Sequence, residues 1–548
     1  MRTPKSIHEN LRFLISEIES QLSNLGLYFS NYSVTVAKRI VDRSGYTYNL
    51  KSSIHSSCLA LMMQKNRGLP SETRLLRSLE CIATDLERIS ELCRDAIQQV
   101  GYLKKRKHLP SKLYITLLRR IGKGVGMIDE AIDKSDTQLA LKIGRIENKL
   151  DHAYKKLQRK YIADLKQNNR HQTEDLVSAL FIARSIEQMG DVLLSISEAI
   201  ISANLGQPLN TDRYHTLQAS IAQLNGVDNR SDPALEAIAQ TRSGSGISGL
   251  STTDQEGNEQ LAIFKDGEKR KVREERDGVK NWHEIFPGVA PKILSYHKQG
   301  QSAALLIEHL AGLTFEQIVL HESPKLLKQT MKQLQKTLRL IWSETETQKP
   351  VAAHYMDQLE QRLEDVYRLH PEFIEGSRQI GNHLLPSFAS LLRRARDYEK
   401  QLTAPFSVYI HGDFNVDNII YDPLEKRINF IDLHRSTYMD YAQDVSVFMV
   451  SNYRLRVEEP TLRRRVLQQS YSIYRFATAH AKRSGDTTFE LRLALGLARS
   501  FATSTRFILD KTVSRAMWVR ARYLIELVLA SKPDKKGFRL PIREIFID

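Results

Sequence analysis

From residue 7 to about residue 203 the chain sets apolar residues at three- and four-residue intervals, with glycine and proline sparse inside each run. Leu11, Leu14, Ile15 and Ile18 keep that spacing, as do Leu79, Ile82, Leu86 and Ile89, and later Leu180, Ile182, Ile186 and Met189. Such a rhythm draws one apolar stripe along a helix, and the stripe has to be covered by another helix. Turn residues at 68–70, 108–110 and 204–208 divide the region into about six long helices, enough for a bundle. The region also repeats itself. Glu87-Arg-Ile-Ser-Glu91 is echoed by Glu187-Gln-Met-Gly-Asp191, 100 residues later, and an acidic-apolar opening precedes each. The expectation for 1–204 is an all-α bundle of two three-helix repeats.

The texture then changes. Residues 205–232 are polar and turn-rich and read as a linker. From 233 the chain alternates short strands, turns and helices. Strands are expected at 234–240, 260–265 and 303–308, with a glycine-rich turn at 242–249 and a helix from about 269. After 315 it reads as mostly helical, apart from a strand-turn-strand at 407–433. With 548 residues the chain is long enough for two or three domains.

Composition narrows the classes. The hydrophobic share is 41% and mean hydropathy −0.39, which excludes wholesale disorder and a multi-span membrane protein. The first residues contain no apolar signal core, so a cytoplasmic location is expected. Cys58, Cys81 and Cys93 sit among apolar residues and read as buried free thiols in a reducing compartment. The net charge of +16 is richest at Lys104-Lys105-Arg106-Lys107, but no aromatic interleaving or zinc spacing accompanies it. No nucleic-acid partner is expected; a basic helix face suits an acidic partner or anionic lipid.

The segment Val408-Tyr-Ile-His-Gly-Asp-Phe-Asn-Val-Asp-Asn-Ile-Ile-Tyr421 carries the chemistry. Two apolar residues lead into His411-Gly412-Asp413, and four residues separate Asp413 from Asn418. A short hairpin then delivers Asp432. Phosphoryl transfer from ATP needs this inventory: one carboxylate to orient the attacking hydroxyl, and hard oxygen ligands to hold Mg²⁺ on the phosphates. Asp413 fits the first role; Asn418 and Asp432 fit the second.

HGDFNVDN followed by INFIDL resembles the aminoglycoside phosphotransferase and choline kinase superfamily. The chain departs from that pattern at Asp417, where relatives usually have glycine, and at Asn415, where many have histidine. The resemblance implies an α+β bilobal, protein-kinase-like fold, with an N-lobe over 233–310 and a helical C-lobe over 311–548. It assigns His411, Asp440 and Asp444 to support of the catalytic loop. It also implies a nucleotide site: Lys265 at the end of a strand, Glu275 or its neighbour Glu274 as that lysine's ion-pair partner, Ser243, Gly244 and Gly246 in a phosphate-wrapping turn, and Glu308 and Leu310 in the hinge. Glu275 is preferred over Glu274 because Val279 and Trp282 continue its face of the helix.

The helical half resembles the phosphate-uptake regulator (PhoU-like) fold, most closely in ARSIEQMGDVLLSISEAI. Two carboxylates four residues apart share one helix face, so Glu187 and Asp191, with Glu147 and Asp151 of another helix, form a candidate second metal site. The matching stretch of the first repeat, RSGYTYNL, carries no acid at those places. The resemblances together imply an ATP- and Mg²⁺-dependent transfer of the γ-phosphate to the hydroxyl of an unidentified small molecule, with regulation through the helical domain. Partners implied are phosphate transport or sensor proteins, and a homodimer is an open alternative. The competing reading is a nucleotide-binding pseudokinase in phosphate signalling.

Overall fold

A computed structural model describes residues 5–64, 70–167, 172–205, 214, 217, 234–240, 246–253, 259–299, 302–531 and 538–547. The chain divides into two compact units, 1–266 with 297–300, and 267–296 with 301–548.

The helices of the first unit are α1 (Lys5–Asn31), α2 (Val34–Val41), α3 (Ser44–Gln64), α4 (Pro70–Gly101), α5 (Ser111–Gly126), α6 (Ile128–Asp133), α7 (Thr137–Gly144), α8 (Glu147–Lys166) and α9 (Thr173–Leu205). The apolar stripes read from the sequence are the buried faces: Leu11, Leu14 and Ile18 of α1, Leu79, Ile82 and Leu86 of α4, and Ile182, Ile186 and Met189 of α9 are fully or almost fully covered. The two long helices that carry the echoed acids, α4 and α9, run against each other, and α1 lies along α5. The expected six long helices are more broken than that. Tyr32 stops α1 with φ of 53°. Where the second repeat should begin with one long helix, α5, α6 and α7 follow one another; Ser135 turns the chain with φ of 50° and Asp136 caps α7 through its side chain.

Two expectations need correction here. Cys58 and Cys93 are buried, and burial pushes each thiol up to about 12. Cys81, by contrast, is exposed, because it falls on the outer face of α4 next to the buried Ile82. The basic run is also partly neutralised: the Lys104 and Lys105 N–H groups donate to Asp175, Lys104 pairs with Glu174, and Arg106 lies over the Tyr32 ring at 4.4 Å.

Strands β1 (Ala234–Gln240), β2 (Gly246–Thr253) and β3 (Glu259–Glu268) form an antiparallel meander. In the second unit, helix α10 (Lys269–Ile285) packs on β5 (Ser302–Glu308), which follows β4 (Ile293–Gln299). Helices α11 (Phe315–His321), α12 (Pro324–Thr345), α13 (Tyr355–Leu369), α14 (Phe388–Glu399), α15 (Ala442–Tyr453), α16 (Pro460–Arg483), α17 (Phe489–Ser504) and α18 (Lys511–Ala530) build a large apolar core. α15 is buried along its whole length, with α16 and α17 packed on it. The architecture is a PhoU-like helical region followed by a kinase-like phosphotransferase fold. Among the described residues no helix is long and apolar enough to cross a membrane.

Candidate active site

The candidate loop is held at both ends by strands. Val408–Ile410 pairs antiparallel with Thr437–Met439, so the chain leaves this ladder before His411 and returns to it after Ser436. In between, Ile419–Asp422 pairs with Arg427–Phe430 as the expected hairpin, and also with Leu313–Thr314. The turn is closed by the Asp422 side chain, which accepts from the Leu424 and Glu425 N–H groups.

Buried groups fix the loop's conformation. Asp444, in the first turn of α15, accepts from the His411 N–H at 2.8 Å and the Gly412 N–H at 2.9 Å. Burial pushes its carboxyl above the usual range, although those two bonds and His411 act the other way. His411 Nε2 stands 3.0 Å from the Ile431 carbonyl, which can only accept, so that nitrogen carries the proton and Nδ1 receives the Asp413 N–H at 3.3 Å. His411 thereby ties the candidate loop to the strand end before Asp432.

Gly412 sits at φ of 82°, and a Cβ there would stand 2.2 Å from the Arg435 carbonyl oxygen. Gly278 of α10 plays a similar part: a Cβ on it would lie 2.1 Å from the Leu433 carbonyl oxygen. The bare backbone at 278 lets the helix that carries Glu275 rest on the chain next to Asp432.

Asp413 is oriented by two donors. Arg435 Nη1 lies 3.0 Å from its carboxylate, and the Asn415 amide donates to it at 2.9 Å. Arg454 in turn donates to the Asn415 side-chain oxygen at 3.0 Å. The nearly buried Asn418 donates its amide to the Asp413 carbonyl at 2.9 Å. Its side-chain oxygen has no protein hydrogen bond among the described residues. Asp432 occupies the left-handed region at φ of 63°, a conformation the backbone adopts only where the surroundings impose it. The donor set of Asn418 and Asp432, an amide oxygen and a carboxylate, has the hard-oxygen chemistry Mg²⁺ takes.

Glu275 is buried on α10, whereas Glu274 is exposed. Glu275, Asp432 and His434 bring ligand atoms within 4.8 Å of one another. Asp432's hydrogen bond to His434, at 3.2 Å, holds the imidazole above its ordinary value against the effect of burial. Lys265 lies inside β3, three residues before the strand ends at Glu268 and not at its end as expected, and it pairs across the meander with Ile247. Gly246 opens β2 opposite Asp266, while Ser243 and Gly244 lie outside the described residues. Glu308 gives its N–H to the Lys292 carbonyl and receives the Lys292 N–H on its carboxylate, and Leu310 is covered.

Asp440 is placed differently from expectation. Among the described residues its carboxylate makes no hydrogen bond to the candidate loop. Its carboxylate receives the fully buried Arg492 at 2.9 and 3.2 Å, the Tyr355 hydroxyl at 3.2 Å and the Ala442 N–H at 3.0 Å. Arg492 also holds Asp486 at 2.9 and 2.7 Å. Asp440 is thus one side of a buried charge network that joins α13, α15 and α17.

In the helical unit, α8 and α9 bring Glu147, Asp151, Glu187 and Asp191 into mutual electrostatic reach. Burial and the neighbouring carboxylates push Glu147 and Glu187 upward. Among the described residues no three of these four offer oxygens within 4.8 Å of one another. Arg184 stands among them, 2.5 Å from Glu187 and 4.0 Å from Asp191. In the first repeat Lys51 and Arg94 pair with Glu87 at 3.3 and 3.9 Å, and at the 100-residue offset Lys51 stands where the second repeat has Asp151.

Sequence reasoning passed over Arg435, His434 and Ser436. The Ser436 hydroxyl donates to the His411 carbonyl at 3.1 Å and accepts the Trp282 N–H at 2.7 Å. Their one available signal was position, directly after Asp432.

Residues 261–482 match the family described as "Phosphotransferase enzyme family" (APH), and residues 117–200 match the PhoU domain. The Escherichia coli (strain K12) phosphate-specific transport system accessory protein PhoU is 25% identical over 210 residues, 37% of this chain and 84% of that protein. Among solved structures, PhoU from Pseudomonas aeruginosa aligns at 18% identity over 36% of this chain and 94% of its own, with a TM-score of 0.33. An aminoglycoside-3'-phosphotransferase of type VIII aligns at 16% identity over 54% and 98%, with a TM-score of 0.35.

Proposed function

We propose that this chain, a PhoU domain joined to an APH-type phosphotransferase domain, transfers the γ-phosphate of ATP to a hydroxyl group of a small molecule. One observation carries the reading. Asp413, Asn418 and Asp432 are gathered by a single loop system whose backbone is held from below by the buried Asp444 and across by His411.

In this reading Asp413, aimed by Arg435 and Asn415, orients the acceptor hydroxyl and takes its proton. The hydroxyl oxygen bonds to the γ-phosphorus as the bond to the bridging oxygen breaks, and ADP leaves. Asn418 and Asp432 would hold Mg²⁺, which supplies charge neutralisation on the phosphates. Lys265 and Glu275 are proposed for the nucleotide phosphates, and the hinge at Glu308 and Leu310 for the base. The acid quartet of α8 and α9 is proposed as a cation site. The helical domain is proposed to dock a phosphate transport or sensor protein, by analogy with the transport-accessory name of its relatives.

The 3.0 Å pair between Arg435 and Asp413 favours a second reading, a nucleotide-sensing module with an occupied base. Turnover separates the two. Labelled ATP with a metabolite extract should yield a phosphorylated product with the wild-type chain. Asp413→Ala should remove the product and retain Mg·ATP binding; Asp432→Ala should weaken both. Equal nucleotide affinity in the two variants would contradict these roles, and tight Mg·ATP binding without any transfer would favour the sensor.

A further inference from the structure

Three arginines gather around Asp413, which also has the carboxylates of Asp417 and the buried Asp444 nearby. Arg435 touches Asp413 at 3.0 Å. Arg499, in the C-terminal half of α17, lies within electrostatic reach of Asp413, Arg435 and Asp444. Arg506, just past that helix, lies within reach of Asp413, Arg435, Asp365 and Arg362, the last two on α13.

The arginines are also unanswered. Arg499 is largely covered, with its guanidinium carbon 5.6 Å from the Tyr355 ring centre. Its Nε and Nη2 are buried and have no hydrogen-bond partner among the described residues. Arg499, Arg506 and Arg362 make no ion pair with a carboxylate among the described residues. By contrast, Arg492, two turns earlier on the same helix, is matched by both Asp440 and Asp486. Burial and the neighbouring like charges push Arg499 and Arg506 below the ordinary arginine range. A covered guanidinium with empty N–H groups is costly in a fold unless something anionic completes it. A planar fork of donors is the group that best matches a carboxylate or phosphate.

We propose that the acceptor site beside Asp413 takes an anionic hydroxyl compound, whose phosphate or carboxylate is held by Arg499 and Arg506 while its hydroxyl meets Asp413. This rests on the phosphotransfer reading and names its substrate class. The same charges repel a cationic amino alcohol or aminoglycoside.

The test uses the full-length chain, Mg²⁺ and [γ-³²P]ATP with two panels of hydroxyl compounds. Glycerol 3-phosphate, glucose 6-phosphate and glycerate are the anions, the first two distinguishing phosphate from the carboxylate of the third. Ethanolamine, choline and kanamycin are the cations. At least one anion should be labelled and no cation. Arg499→Met and Arg506→Met should each raise the KM of that acceptor tenfold or more without moving the KM for ATP. Because Arg499 has no partner to lose, Arg499→Met should melt at or above the wild-type temperature, which separates a binding role from a structural one.

A second arm needs no turnover. Sulfate should raise the melting temperature of the wild type more than chloride at equal ionic strength, and that excess should vanish in Arg499→Met. Labelling of cations alone overturns the proposal, as does an unchanged acceptor KM in both variants. If neither panel is labelled, the sulfate arm decides, and equal shifts in wild type and Arg499→Met overturn it. Failure of the phosphotransfer reading itself would look different: Mg·ATP binding and hydrolysis insensitive to Asp413→Ala and Asp432→Ala.

Discussion

Gly412→Ala is the sharpest perturbation the loop offers. A methyl group there would stand 2.2 Å from the Arg435 carbonyl oxygen and 2.8 Å from its carbonyl carbon. Both atoms are backbone and cannot rotate aside. Reaching ordinary van der Waals separation requires one chain to retreat by about 1 Å. The residue also sits at φ of 82°, where an L side chain costs about 1–2 kcal/mol. Forced overpacking of this kind adds about 1–3 kcal/mol. A stability loss of about 2–5 kcal/mol is therefore expected. The displaced residue is Arg435, whose guanidinium aims Asp413 from 3.0 Å. A misplacement of about 1 Å near reacting groups costs about 10²-fold in rate. The chain's three tryptophans, Trp282, Trp342 and Trp518, all belong to the second compact unit. Urea unfolding followed by tryptophan fluorescence thus reads the phosphotransferase unit with the helical bundle silent. The expected result is a lowered midpoint, with kcat reduced about 10²-fold in an ADP-release assay. A wild-type midpoint with kcat within about twofold would refute the argument that the loops touch through Gly412.

Three further outcomes follow from other parts of the molecule. Arg492→Met leaves Asp440 and Asp486 buried without their shared cation and should cost about 3–5 kcal/mol by urea denaturation; a loss below about 1 kcal/mol would show the network to be replaceable. His480 is buried against Trp342, Phe406 and Tyr441, and burial with Arg483 holds it down to about 4. Its folded value lies below the unfolded one, so its contribution is complete above about pH 6.5 and is lost as pH falls toward 4, about 3 kcal/mol in all. His480→Phe should flatten that decline in denaturation midpoint between about pH 7 and pH 4.5, and an unchanged slope would remove His480 from the acid response. Equilibrium dialysis with Mn²⁺ should show binding that Glu187→Ala/Asp191→Ala removes; equal binding by both proteins would assign the quartet to a solvated face.

What the sequence determined by itself is what depends on neighbours along the chain. A 3.6-residue rhythm needs no tertiary information, so the buried faces of α1, α4 and α9 were legible residue by residue. The strand at 234–240 and the helix from 269 followed from local punctuation and agree with β1 and α10, whereas β3 runs on past the expected end at Lys265 to Glu268. The candidate chemistry was legible for the same reason. Asp413, Asn418 and Asp432 fall within one short hairpin, and a phosphate-transfer loop requires those residue types at that spacing. The burial of Glu275 against the exposure of Glu274 followed the helix phase.

The tertiary structure decided what distant segments do to one another. Periodicity says that a residue lies on a helix, not which side chain will meet it. Asp440 was read as loop support because it follows Asp432 closely. It became the partner of Arg492 because α17 folds across α15. Cys81 went outward because one position along a helix turns a side chain by about 100°. Arg184 entered the acid quartet from the next turn of the same helix, and nothing in the carboxylate spacing announces it. Arg499 and Arg506 lie more than eighty residues after Asp413, the one in a helix that reads as ordinary core and the other just past its end. Electrostatic interaction depends on distance through space and on burial, and both are settled only when α13 and α17 close around the loop.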